Sequence, residues 1–219
     1  MSDTEAPMSK ADYVYHRLSR EIRNAEIPGG TPLRATAVAE RLGVSITPVR
    51  EAFRRLERDR LISYERHHGA TVIDLSDEAL LEFYQVRAAV EGLGARLAAA
   101  VITRAELDQL WRLHESMVDN ERKGRHELLG EQSRRLHLTI TDIGGPAFLG
   151  AHVRSLHDSY PVPEGASLWL DPDAAKNHLA AHEQLCRALQ VGDGHTAERI
   201  MVEHIEFSGG YRLGRRGPA

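Results

Sequence analysis

Two short apolar stripes on either side of a glycine, within residues 35–56, constrain this chain's fold more than any other feature. Val38, Ala39 and Leu42 recur at helical spacing and stop at Gly43; Val49, Phe53 and Leu56 recur at the same spacing a few residues later. Val44 plugs the turn between them. Ser45 stands where an N-cap belongs, and Pro48 falls in the first turn of the next helix, where a missing N–H costs nothing. Upstream, Val14, Leu18 and Ile22 predict a helix over residues 13–25, ended by Pro28-Gly29-Gly30-Thr31-Pro32. Downstream, residues 61–64 and 70–73 form two short β-like runs around a polar loop, residues 65–69.

The pattern changes after Leu75. Ser76 and Asp77 open a helical segment to about residue 100, with Leu80, Leu81, Tyr84, Ala88 and Leu93 as its apolar positions. Further helical segments are predicted over 104–122, 126–142, 146–158, 171–190 and 194–213, and no β pattern returns. The fold class is mainly α. A winged helix-turn-helix of three helices plus a β-wing occupies residues 1–75, and an all-α bundle of six to seven helices occupies residues 76–219.

The net charge of −4 argues against nucleic acid until it is divided along the chain. Residues 34–68 carry 8 basic and 5 acidic side chains, and Arg makes up 25 of the 28 cations. Positive charge is therefore concentrated around the second stripe, where a recognition helix would sit. Such a helix must bury one face on its own domain and turn the other to the major groove. Val49, Phe53 and Leu56 serve the first need; Thr47, Arg50, Arg54 and Arg55 project elsewhere. His68 and Gly69, between the two β-runs, offer a donor and a side-chain-free backbone to a phosphate or the minor groove. No run of eighteen apolar residues predicts a membrane span, and residues 1–10 lack the apolar core of a secretory signal. A single cysteine, Cys186, fits a reducing, cytoplasmic setting.

The segment from Pro28 to Leu33, then Val38-Ala39-Glu40-Arg41-Leu42-Gly43-Val44-Ser45-Ile46-Thr47-Pro48-Val49-Arg50-Glu51-Ala52-Phe53-Arg54-Arg55-Leu56, closely resembles the GntR family of bacterial transcriptional regulators. Leu61-Ile62 and His68-Gly69-Ala70-Thr71-Val72 resemble its wing. The helical remainder resembles the effector-binding FCD domain of the FadR subfamily. The resemblance implies DNA contacts at Arg34, Thr36, Ser45, Ile46, Thr47, Arg50, Arg54, His68 and Gly69. Two positions depart from the family pattern, because Thr36 and Ile46 stand where a basic residue is usual. Ile46 is suited to a thymine methyl or to packing, which points to an operator unlike those of the best-known members. The implied assembly is a homodimer on a pseudo-palindromic operator, acting as a repressor or activator under the control of a small organic acid.

Twelve histidines raise the question of a metal. His16, His67, His114, His126 and His195 read as capped or solvated, and His152 and His157 as helix-surface residues. His182 lies ten residues before Gly192 and His204 ten after Gly194, so in an antiparallel helix pair their rings meet. In many FCD domains a metal is held by an Asp, a His four residues later, and two further His with twenty-one residues between them. Here His137, His182 and His204 match the histidines, while Ser133 replaces the Asp. Three His suit Zn²⁺ or Ni²⁺ with positions open to water or an effector carboxylate; without a metal, the same trio lines a polar anion pocket. His178 is a competing ligand. Arg87 is expected to face inward and clamp an effector carboxylate, or else to pair with Glu91 at i,i+4. Ser133 and Arg87 are thus the expected effector contacts. The alternative from another class is a His-coordinated metal-dependent enzyme, although no HExxH-type base or catalytic triad stands out.

Overall fold

The structure is a computed structural model that describes residues 8–23, 26–65, 69–74, 76–159 and 167–215. His68, within the expected wing tip, lies outside the described residues, as do the last two residues of the predicted first helix. The chain falls into two compact units that meet in sequence between residues 75 and 76.

The first unit holds helices α1 (Lys10–Arg23), α2 (Ala35–Leu42) and α3 (Ile46–Arg58), with strands β1 (Pro32–Leu33), β2 (Ile62–Glu65) and β3 (Gly69–Val72). The strands form an antiparallel sheet in the order β1-β3-β2, with Ile62 opposite Val72 and Leu33 opposite Ala70. β1 was not among the predicted strands. Its two residues carry no periodic signal, and they become a strand by pairing with β3. Gly43 ends α2 in the left-handed region, at φ 64°, which costs a side-chain-free residue nothing and sets the angle into α3. Val14, Leu18, Val38, Val49, Phe53 and Leu56 make one core with Ile62 and Val72 of the sheet.

The second unit is helical among its described residues: α4 (Asp77–Val101), α5 (Arg104–Arg122), α6 (His126–Gly144), α7 (Leu149–Ser159), a short 3-10 helix (Leu168–Leu170), α8 (Pro172–Gln190) and α9 (Gly194–Arg215). The ends are written in the sequence. Ser76 accepts a bond from the Ala79 amide, Thr103 and Glu106 form a reciprocal capping box, and Asp171 caps α8 ahead of Pro172. α4 runs through the middle, against α9 on one side and α6 on another. Its buried face is Leu80, Tyr84, Ala88, Glu91, Gly92, Gly94, Ala95, Ala98 and Ala99. The apolar positions expected there are corrected at two residues: Leu81 is exposed and Leu93 only half-buried. Backbones approach too closely for large side chains. A methyl group on Gly144 of α6 would overlap the Gly94 carbonyl oxygen, so small residues form the true interface.

Candidate DNA-binding face and histidine centre

α3 buries Val49, Ala52, Phe53 and Leu56 and leaves Ile46, Thr47, Arg50 and Arg54 exposed. Arg34, Thr36 and Ser45 are exposed beside them in the chain. The arginines divide into two groups. Arg17 and Arg41 both bond the buried Glu21 at 2.7 Å, and Arg55 bonds Asp12 while stacking 4.1 Å over the Tyr15 ring. Arg41 and Arg55 thereby brace α1 against α2 and α3, while the Arg17 pair lies within α1. Arg34, Arg50 and Arg54 have no ion pair among the described residues. Cations without an internal counter-ion are the kind that can reach phosphates and base edges. Ser45 takes the N-cap position of α3 with extended backbone, yet its hydroxyl makes no capping bond. The positive end of α3 is therefore not covered by its own side chain, which suits a phosphate. Gly69 opens β3 at φ 88°, a conformation that a side chain would strain.

In the helical unit, His137 of α6, His182 of α8 and His204 of α9 turn their Nε2 atoms toward one point. The pairwise distances are 3.3 Å (His137–His182), 3.1 Å (His137–His204) and 3.2 Å (His182–His204). All three residues are buried. Burial and the neighbouring imidazoles hold His182 and His204 well below the ordinary histidine value, so their rings are neutral near pH 7 and their lone pairs available. Three nitrogens bound about 2.0–2.1 Å from a tetrahedral ion lie about 3.3 Å apart, which the triangle matches. The buried Nδ1 of His182 has no hydrogen-bond partner among the described residues. Ser133 lies one turn before His137 on α6 and is half-buried.

Several histidines depart from expectation. His157 does not lie on the helix surface: its side chain is only 9% exposed, and its Nε2 lies 3.1 Å from both Glu91 and Arg87. Burial and the Arg87 charge push it down to about 4. His114 is buried against Trp111 rather than solvated, because α5 turns it toward α8. His178 bonds Ser208 through Nε2 at 2.9 Å, which takes that nitrogen out of the triangle. Burial pushes it down to about 3. Trp169 of the 3-10 helix packs edge-on to His178 and lies 6.2 Å from the His182 ring, giving the centre an apolar wall. Arg87 combines the two alternatives: it pairs with Glu91 at 2.8 Å, but in the interior rather than on the surface, so an effector carboxylate would compete with Glu91 for it. Burial raises the Cys186 thiol to about 12, consistent with packing.

Glu91 is the residue that sequence reasoning treated only as a partner for Arg87. Its carboxylate also receives His137 Nδ1 at 2.6 Å. The signal was present. At i+3 from Ala88 and i−4 from Ala95, it puts a carboxylate in the buried stripe of α4, which is rare unless the charge is paired.

Comparison with known proteins agrees with this layout. The gntR family of bacterial regulatory proteins matches residues 10–72, and the FCD domain matches residues 82–207. The HTH-type transcriptional repressor RspR of Escherichia coli (strain K12) is 30% identical over 201 residues, covering 88% of this chain and 84% of RspR. The "Probable D-xylose utilization operon transcriptional repressor" of Paenarthrobacter nicotinovorans is 29% identical over 202 residues, covering 89% and 85%. The solved structure of E. coli McbR/YncC shares the fold with a TM-score of 0.72 at 24% identity, covering 91% of this chain and 94% of that one. By name these relatives are regulators of transcription rather than enzymes. With both matches in place, the chain belongs to the GntR family of transcriptional regulators, with an FCD domain as its second part.

Proposed function

We propose that this protein is a transcriptional repressor that grips a pseudo-palindromic operator as a homodimer and answers to a small organic acid bound at a divalent metal in the FCD domain. The observation that carries the reading is the meeting of three buried Nε2 atoms at 3.1–3.3 Å. His137, His182 and His204 would hold Zn²⁺ or Ni²⁺, and the ion would supply an electrophilic anchor for a carboxylate. Ser133, in place of an acidic ligand, leaves a coordination position for the effector. Arg34, Thr36, Ser45, Ile46, Thr47, Arg50 and Arg54, with His68 and Gly69 of the wing, form the DNA face. The curated relatives named as repressors support the direction of control.

Two-fold operators need two recognition helices at fixed spacing. One face of α4 supports self-association. Val86, Leu97 and Val101 are 42%, 41% and 60% exposed, with Val90 and Leu93 half-buried between them, an apolar stripe along a 25-residue helix. The whole reading is tested by fluorescence anisotropy on a DNA fragment from upstream of the protein's own gene, at low salt, with metal-loaded protein. Nanomolar binding that weakens on adding a small carboxylate is expected. Absence of binding at low salt would overturn the reading.

A further inference from the structure

Three imidazoles bring no negative charge to a divalent cation, and Ser133 does not supply one. The carboxylate bonded to the cluster is Glu91, which lies on the far side of the His137 ring from the point where the nitrogens meet. Its Oε2 lies 2.6 Å from His137 Nδ1, while its Oε1 lies 2.8 Å from Arg87 Nε and 3.1 Å from His157 Nε2. Glu91 is fully buried and His137 nearly so. The Arg87 guanidinium, itself largely buried, faces the carboxylate at 2.8 Å and supplies the opposite charge that a buried carboxylate needs.

An ionised carboxylate accepts hydrogen bonds and donates none. At 2.6 Å from Nδ1 it therefore requires that nitrogen to carry a proton, and in the singly protonated ring that binds a metal Nε2 is then the bare lone pair. We propose that Glu91 is a positioning residue of the histidine centre: anchored by Arg87, its carboxylate holds the Nδ1 proton of His137 and so fixes the Nε2 lone pair of that ring toward His182 and His204. Glu91 also places a negative charge one ring away from the cation, making His137 a stronger donor than an unsupported imidazole. Arg87 thereby acts on the centre through Glu91. The anchor spans three helices, since Arg87 and Glu91 lie on α4, His137 on α6 and His157 on α7. Glu91, His137 and His157 also converge closely enough to hold an ion of their own. That second site is excluded by charge, because the Arg87 guanidinium sits 3.1 Å from His157 and 2.8 Å from Glu91.

The use of this arrangement rests on the metal reading above, but the arrangement is testable without a metal. In full-length, ¹⁵N-labelled, metal-stripped protein, long-range ¹H–¹⁵N correlation reads the His137 tautomer. The expected result is a single form protonated at Nδ1; a ring protonated at Nε2 overturns the proposal. In parallel, Co²⁺ is titrated against a competing chelator. Glu91→Gln keeps the shape and removes the charge, and is expected to weaken Co²⁺ binding by roughly 10–100-fold and to mix the His137 tautomers. Should that variant fail to fold because Arg87 is left unpaired, Glu91→Gln with Arg87→Met removes both charges and carries the same expectation. Affinity within twofold of the wild type in a folded variant overturns the proposal. If the wild-type protein binds no Co²⁺, the metal reading falls, and the tautomer alone decides the role of Glu91.

Discussion

Arg50 and Arg54 differ from Arg55 in nothing that composition records, yet Arg55 is tied to Asp12 and Tyr15 while the other two are exposed on α3 with no ion pair among the described residues. Truncating a free arginine costs the fold little, because no buried partner is stranded. Arg50→Ala is expected to lower operator affinity by about 1–3 kcal/mol and to relax base preference at one position, with the melting temperature unchanged. Anisotropy on operator variants and a thermal melt measure the two halves. A second residue-scale prediction concerns Ser133. Ser133→Asp places a carboxylate one turn before His137 and is expected to tighten Co²⁺ or Zn²⁺ binding by at least about tenfold. The same change fills the position that an effector carboxylate would take, so metal binding becomes less dependent on added organic acid. Chelator competition with and without acetate separates the two effects.

At the scale of the elements, α4 decides the architecture of the helical unit. Its length and N-cap were legible from Ser76 onward, but its buried face was not, because alternating large apolar residues mark burial only where neighbours stand at ordinary distance. Here the partners approach to backbone contact, so Gly92, Gly94 and Ala95 are inside while Leu81 and Leu97 are outside. Gly144→Val is expected to destabilise the unit by more than about 2 kcal/mol, since the Gly94 carbonyl behind it cannot move without shifting α4. Urea unfolding followed by far-ultraviolet circular dichroism measures it. The outward apolar stripe makes the converse prediction: Leu97→Glu leaves the fold intact and shifts the molecular mass by light scattering from dimer to monomer.

At the scale of the whole molecule, burying histidines makes stability depend on pH. His157 and His178 titrate at about 4 and about 3 in the folded protein, against 6.5 when unfolded. The unfolded chain therefore takes up protons first as pH falls. Stability is fully present above about pH 6.5 and is lost progressively toward pH 4 and below, by on the order of 3 kcal/mol for His157 alone. Metal-stripped protein melted at pH 7.5, 6.0 and 5.0 is expected to show a falling midpoint over that window. A flat midpoint would mean that the histidine cluster opens to solvent.

The sequence by itself determined the local structure and the family. Gly43, Ser76, Thr103, Glu106 and Asp171 mark their helix ends through bonds within a turn, and the spacing around Gly192 and Gly194 brings His182 to His204 through the geometry of a helix hairpin. Such features depend on residues close in the chain, so they are readable without a fold. What only the tertiary structure decided is which polar groups are taken out of water together. His157 looked like a surface residue and Glu91 like one half of a surface ion pair, because the partners that bury them lie 46 to 70 residues away. Burial removes the water that would screen these groups, so each must find its counterpart inside the bundle. That requirement turns an ordinary arginine–glutamate pair into the support of the histidine centre.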